Sequence, residues 1–257
     1  MGTFSRLLSS LSRPAAHHHW GHHAGRAFAA AAASHTDLIK QLRQRSGSPI
    51  SDVKSCLESN SWDVELAYDA LRKKGLAAAA KTASRHAADG LVGCVASSNG
   101  REAVIVEVNS ETDFVARNEL FQKLVGRVAA AALTLPHHTS EPTPTTSKAT
   151  PLSVDKLMEA HLPEGQSVAD ACAEVASRMR ENVKLRRAFR LASNYGCVST
   201  YLHQSSAPGL GRIACLVVLE PVDGQPLSQE THQQVDAVGR QLAMHAVGMK
   251  PQFLKKD

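Results

Sequence analysis

The hydrophobic period of this chain switches from helical to alternating near Leu91, and no other feature restricts its fold as much. Before the switch, three short helices read between residues 36 and 75. Thr36 caps the first, with Leu38, Ile39 and Leu42 on one stripe and Gly47-Ser48-Pro49 as its end. Ser51 and Asp52 open a second that turns Val53, Cys56 and Leu57 inward and closes at Asn60-Ser61. A third starts near Asp63, buries Val64, Ala67 and Leu71, and stops at Gly75 after Arg72, Lys73 and Lys74, cations that suit a helix C-terminus. Three helices in so short a stretch make a small bundle, and an Ala- and Lys-rich helical linker over 77–89 leads out of it.

After the switch, residues 91–96 and 103–108 alternate as strands. Ser97-Ser98-Asn99-Gly100 joins them, and Asn-Gly is the strongest short hairpin signal. A helix over 118–133 carries Leu120, Phe121, Leu124, Val125 and Val128 on one stripe. Residues 136–151 form a Pro/Thr/Ser-rich loop without period, a disordered insertion spanning about 134–152. A further helix over 168–183, apolar segments at 187–192, 198–203 and 213–220, and a last helix over 230–247 complete the order. Bundle, then helices on an antiparallel sheet of three-stranded type, is an α+β fold.

The first acid in the chain is Asp37, and the segment 1–34 before it carries Arg6, Arg13, Arg26, several serines and Phe4, Leu7, Leu8 and Leu11 at helical spacing. That is the make-up of an organellar transit peptide, and Arg26-Ala27-Phe28 before Ala29 resembles an arginine-directed mitochondrial cleavage site. The mitochondrial matrix is the expected location, with the plastid as the rival. His17, His18, His19, His22 and His23 are potential metal ligands, but they fall in the segment expected to be removed. The net charge is +5 and three of those charges are in this segment, so the remainder is only mildly basic. Direct nucleic-acid binding, which needs clustered Lys and Arg, is not expected. Five cysteines, Cys56, Cys94, Cys172, Cys197 and Cys215, form no C-x-x-C pair and read as reduced, mostly buried thiols. No apolar run is long enough to cross a membrane as a helix.

The run Asn109-Ser110-Glu111-Thr112-Asp113-Phe114-Val115-Ala116-Arg117-Asn118 resembles the signature of the elongation factor Ts family. Leu42-Arg43-Gln44-Arg45, Asp52-Val53-Lys54, Ala87-Ala88-Asp89-Gly90, Glu181-Asn182-Val183-Lys184-Leu185-Arg186-Arg187, Gly211-Arg212-Ile213-Ala214 and Ala243-Met244-His245-Ala246 continue the resemblance in family order. It implies a guanine-nucleotide exchange factor for elongation factor Tu, meeting it in GDP-bound and nucleotide-free states. It implies, too, a ubiquitin-associated-like bundle over 35–76, a core subdomain over 90–229 and the start of a C-terminal core over 230–257. Carried over by the resemblance, Asp113 and Phe114 enter the partner near its nucleotide pocket, Ile213, Ala214 and His245 touch it around the same place, and Lys54 contacts it from the bundle. Ala214 departs from the Gly common in bacterial relatives. The chain ends soon after Lys250-Pro251-Gln252-Phe253-Leu254 where family members usually continue, so a C-terminal truncation is expected.

Each of these residues has a plainer reading. Phe114 is core, Asp113 and Thr112 are helix caps, Ile213 is core, His245 is an ordinary helix histidine and Lys54 is a solvated charge. No catalytic set, metal site or cofactor motif is recognised, and neither enzyme activity nor a homo-oligomer is expected. Two other classes remain as alternatives. One is a ubiquitin-binding adaptor, against which Gly47-Ser48-Pro49-Ile50 offers no Met-Gly-aromatic turn; the other is an RNA-binding translation accessory protein.

Overall fold

The computed structural model describes residues 34–136 and 149–253; residues 1–33 of the segment read as a transit peptide, with its histidines, and the middle of the Pro/Thr/Ser-rich stretch lie outside the described residues. The chain opens with α1 (His35–Ser46), α2 (Ile50–Ser59) and α3 (Val64–Thr82). Leu42, Val53, Cys56, Leu57, Ala67 and Leu71 are buried together between them. Gly47 leaves α1 at φ +65°, the left-handed turn that glycine adopts without strain. Asp63 caps α3, accepting from the amides of Glu65 and Leu66 at 2.9 Å. α2 starts earlier than Ser51-Asp52 predicts, behind Pro49, and Asp52 instead receives Lys74 at 2.7 Å.

The third helix does not stop at Gly75. A Cβ there would lie 2.3 Å from Ser177 Oγ. The glycine therefore marks a close helix crossing rather than a helix end, a distinction that local sequence does not carry.

β1 (Asp89–Ala96) and β2 (Glu102–Ser110) form the expected hairpin, in register from Asp89 opposite Ser110 to Ala96 opposite Ala103. Then come the single-turn α4 (Asp113–Ala116), α5 (Glu119–Thr134), β3 (Thr150–Leu152), α6 (Val154–Glu159), α7 (Val168–Met179) and β4 (Lys184–Ala192). The fold is α+β, with a sheet larger than the three-stranded type expected: its strand order is β3-β4-β2-β1, with β6 (Leu210–Gly211) on the outer edge, and all pairs are antiparallel. β3 lies in the stretch read as an insertion, where Thr150–Leu152 pairs with Ala188–Arg190. Three residues beginning Thr-Pro carry too little periodicity to announce an edge strand.

One face of this sheet is dry. Val104, Val106 and Val108 meet Phe121, Leu124, Val125 and Val128 of α5, with Ala171, Cys172 and Val175 of α7 beside them. Arg190 is buried on the same face, paired with Glu102 at 2.8 Å, and its Nη2 donates to the carbonyls of Ala132, Leu133 and Leu135 at 2.7 to 3.0 Å. It thereby satisfies the orphan acceptors at the end of α5.

The opposite face is shared. β5 (Cys197–His203) and β7 (Ile213–Leu219) form a separate two-stranded sheet, and Val198 packs on Ala103 and Leu191. α8 (Gln229–Met249) lies across these two strands. It approaches them closely at Gly239, where a Cβ would be 2.6 Å from Ser199 Cβ.

Candidate functional site

β2 delivers the chain to α4 through Glu111 and Thr112, and this turn is held from three sides. Thr112 donates to the Glu181 carboxylate twice, from its amide at 3.0 Å and from its hydroxyl at 2.7 Å. Glu111 accepts from the amide of Asn182 at 2.6 Å. The Asn182 side chain in turn donates to the carbonyls of Ala83 and Arg85, at 3.1 and 2.7 Å, just beyond the end of α3. Arg180, at φ +59°, closes α7 in the left-handed conformation and reverses the chain so that Glu181 and Asn182 face the turn.

α4 then does something unusual for one helical turn. Val115 and Ala116 are buried in the main core, while Phe114 between Asp113 and Val115 is 77% exposed. The plainer reading of Phe114 as core does not hold, because its two C-terminal neighbours take the inward positions of so short a helix. The capping reading fails as well. Thr112 occupies the N-cap position with no side-chain cap bond, since its hydroxyl is committed to Glu181. The Asp113 carboxylate receives Arg117 Nη2 at 2.6 Å along the helix. Arg117 is largely exposed, so this pair is weak and separable.

Ile213 and Ala214 begin β7 and line a cavity of about 440 Å³ together with Val108 and Asn109, residues of the strand that runs into the turn. Ile213 is 43% exposed, which sets aside the reading of it as core. Arg212, one residue earlier, bonds Asp89 at 2.8 Å and the Gly90 carbonyl at 3.2 Å, and so fixes the crossing from the large sheet to the small one. Glu107, next to Val108 on β2, also lines the cavity. A bulge in β4 beside it brings both Arg186 and Arg187 onto its carboxylate, at 2.8 and 2.5 Å. Burial pushes the Glu107 carboxyl up, but the hydrogen bonds from the two arginines outweigh it and hold the group below its ordinary value.

Lys54 and His245 are both exposed, Lys54 on α2 beside Glu58 at 3.7 Å and His245 near the end of α8. Ile213 and Ala214 are thus brought to the strand that carries the Asp113 turn, whereas Lys54 and His245 stand on separate elements. Glu181 and Asn182 stand in the sequence only as members of the family-like run 181–187, with no role of their own. Their partners are distant along the chain, and no local spacing signals such a bond. The pairing of Arg117 with Asp113 was missed too, although the four-residue spacing is a signal that could have found it.

The cysteines are unpaired; burial pushes the Cys94 thiol up to about 11 and that of Cys172 up to about 12, so neither is a thiolate at neutral pH. Among the described residues no cluster of His, Cys, Asp or Glu is placed to hold a metal, and no helix is long and apolar enough to cross a membrane.

Comparison with known proteins bears on the whole arrangement. The family model for Elongation factor TS matches residues 111–257. The chain is 51% identical over 221 residues to a protein of Chlamydomonas reinhardtii named Elongation factor Ts, mitochondrial, an overlap of 78% of this chain and 64% of that one. It is 44% identical over 225 residues to the Zea mays protein of the same name, with coverage of 86% and 57%. Elongation factor Ts of Paramagnetospirillum magneticum is 44% identical over 218 residues, with coverage of 84% and 62%. The chain spans about three-fifths of the length of these relatives. The matched span begins at Glu111, takes in the turn that exposes Phe114, and runs on past β7 and α8, so this chain belongs to the elongation factor Ts family.

Proposed function

We propose that the chain is a guanine-nucleotide exchange factor for mitochondrial elongation factor Tu, promoting GDP release during translation elongation. The observation that carries the reading is Phe114: an aromatic ring 77% exposed, on a turn whose next two residues are locked in the core. A rigid aromatic anchor of this kind fills a pocket on a partner at little entropic cost. Asp113 beside it, released from Arg117, competes for cations or donors in that pocket. Exchange requires no bond chemistry. A protein that binds the nucleotide-free partner more tightly than the nucleotide-bound one weakens nucleotide binding by the same factor.

In this reading Ile213, Ala214 and His245 touch the partner around the same site, and Lys54 reaches it from a ubiquitin-associated-like bundle formed by α1 to α3. The core subdomain carries the wedge, and the region from residue 230 begins a second core unit. The mitochondrial names of the plant and algal relatives support a mitochondrial address, with the matrix as the compartment. Neither the family match nor the named relatives favour a ubiquitin-binding adaptor or an RNA-binding accessory protein.

The test is release of labelled GDP from organellar elongation factor Tu, with the chain, without it, and with Asp113→Ala and Phe114→Ala combined. Acceleration by the unmutated chain that the double variant lacks supports both the activity and its site. Binding without acceleration rejects the activity for this chain, and absence of binding rejects the partner.

A further inference from the structure

We infer that Glu181 and Asn182 form a positioning clasp that fixes the direction in which Phe114 is presented. The inference rests on the exchange reading above and deepens it, since neither residue touches the proposed partner site. A single helical turn has no stability of its own, because nucleation orders several residues for one hydrogen bond. α4 must therefore be held by tertiary contacts, and two kinds are present. Val115 and Ala116 set its depth in the core. Beyond local bonds, from the Ser110 hydroxyl to the Thr112 carbonyl at 3.0 Å and from Gln122 Nε2 to the Ala116 carbonyl at 3.4 Å, core burial leaves the turn free to roll about that anchor.

The Glu181 carboxylate removes this freedom by gripping the residue that starts the helix at both its amide and its hydroxyl. The grip is charge-assisted and bidentate, so it fixes an angle as well as a distance. A threonine at this position would ordinarily cap the helix through its own side chain; here that hydroxyl is diverted to the clasp.

Asn182 extends the hold to the bundle. Its backbone amide takes Glu111, on the other side of Thr112, and its side chain takes two carbonyls beyond the end of α3. Arg85, in that same segment, also lies 3.7 Å from Glu111. α3 is continuous from the bundle to Thr82 and crosses α7 at Gly75 and Ser177. One pair of adjacent residues thus ties the wedge to the helix that carries the bundle.

A wedge acts in the short-lived complex from which nucleotide leaves, whereas docking draws on a wider surface. Loosening the wedge therefore lowers the maximal rate and leaves the docking concentration nearly unchanged.

The test measures GDP release from organellar elongation factor Tu against concentration of the full chain, for the unmutated protein, Glu181→Ala, Thr112→Val and Thr112→Ser. Amide hydrogen exchange over residues 112–117 is followed in the same free proteins. Thr112→Val is expected to lower the maximal rate about tenfold, the size of a lost hydrogen bond to a charged group, and Glu181→Ala, which loses both bonds, at least as much. The half-saturating concentration stays within about twofold. Thr112→Ser, which keeps the hydroxyl and loses the methyl, restores the rate, and protection over 112–117 falls only in the first two. An unchanged maximal rate in Thr112→Val overturns the inference, as does a Thr112→Ser variant as defective as Thr112→Val, which would assign the effect to methyl packing. If Glu181→Ala does not fold, the two Thr112 variants decide. Should the unmutated chain fail to accelerate release, the exchange reading falls by itself. Hydrogen exchange then judges the clasp: lost protection in Thr112→Val upholds it and unaltered protection sinks it.

Discussion

The two helix-on-sheet layers of this chain bury their helices in different ways. α5 turns Phe121, Leu124, Val125 and Val128 onto the large sheet, and all four are completely inaccessible to solvent. α8 is longer, yet it buries only Gly239 and Ala243 against β5 and β7, and leaves Val238, Leu242, Met244 and Met249 exposed. The first layer is held by side-chain volume, and the second by closeness of backbone. A layer of the first kind tolerates no loss of volume and suits a scaffold, so the turn bearing Phe114 is anchored there. The second kind tolerates loss of its outer side chains but not gain at its contact points.

The sharpest way to break this contrast is to truncate each layer. Phe121→Ala is expected to cost about 3–5 kcal/mol, whereas Leu242→Ala, at a side chain 45% exposed, should fall within about 0.5 kcal/mol. Urea unfolding midpoints at constant slope measure both, and equal costs would erase the distinction. Adding volume should reverse the order. In Gly239→Ala the new methyl meets a strand residue at both Oγ and Cβ, 2.2 and 2.6 Å away, for a net loss of about 1–3 kcal/mol. Pairing it with Ser199→Gly should recover part of that. Gly75→Ala meets chiefly a serine hydroxyl that can rotate, and the helix propensity gained, about 1 kcal/mol, offsets the clash to near neutrality.

Two smaller effects probe the large sheet where the second layer leaves it uncovered and where its loop turns back. Glu107, on that open face, has a folded-state value below its ordinary 4.5. Its contribution is therefore complete above about pH 4.5 and is lost as pH falls through the lower folded value. Glu107→Gln should cost on the order of 1 kcal/mol at pH 7, discounted because both arginines are well exposed. The gap to the unmutated chain should close in acid; a gap independent of pH would show that packing, not charge, is responsible. Arg180→Gly should stabilise by about 0.5 kcal/mol, since glycine relieves the left-handed strain at φ +59°. A loss in thermal unfolding would mean that the arginine side chain matters more than its backbone.

Much of the fold was legible because its signals are local. The Asn99-Gly100 turn, the alternating valines of β2 and the stripe of α5 each reflect contacts between near neighbours in sequence. The signature around Asp113 and Phe114 was legible as a resemblance; the pairing of Arg117 with Asp113 came only with the structure. The end of α3 was misread because Lys73, Lys74 and Gly75 imitate a helix terminus, while the reason for the glycine lies on α7. β3 gave no signal because an edge strand of three residues draws its order from β4.

The sequence by itself determined the longer helices, the first hairpin, the α+β class and the segment that sets this chain in its family. Only the tertiary structure decided that Phe114 points outward, that Thr112 is gripped by Glu181 rather than capping, and that Asn182 binds the wedge to the segment just after α3. The last two outcomes depend on groups about 70 to 100 residues apart, and a hydrogen bond at that separation is written in no local period; it exists only once the sheet has brought its partners together.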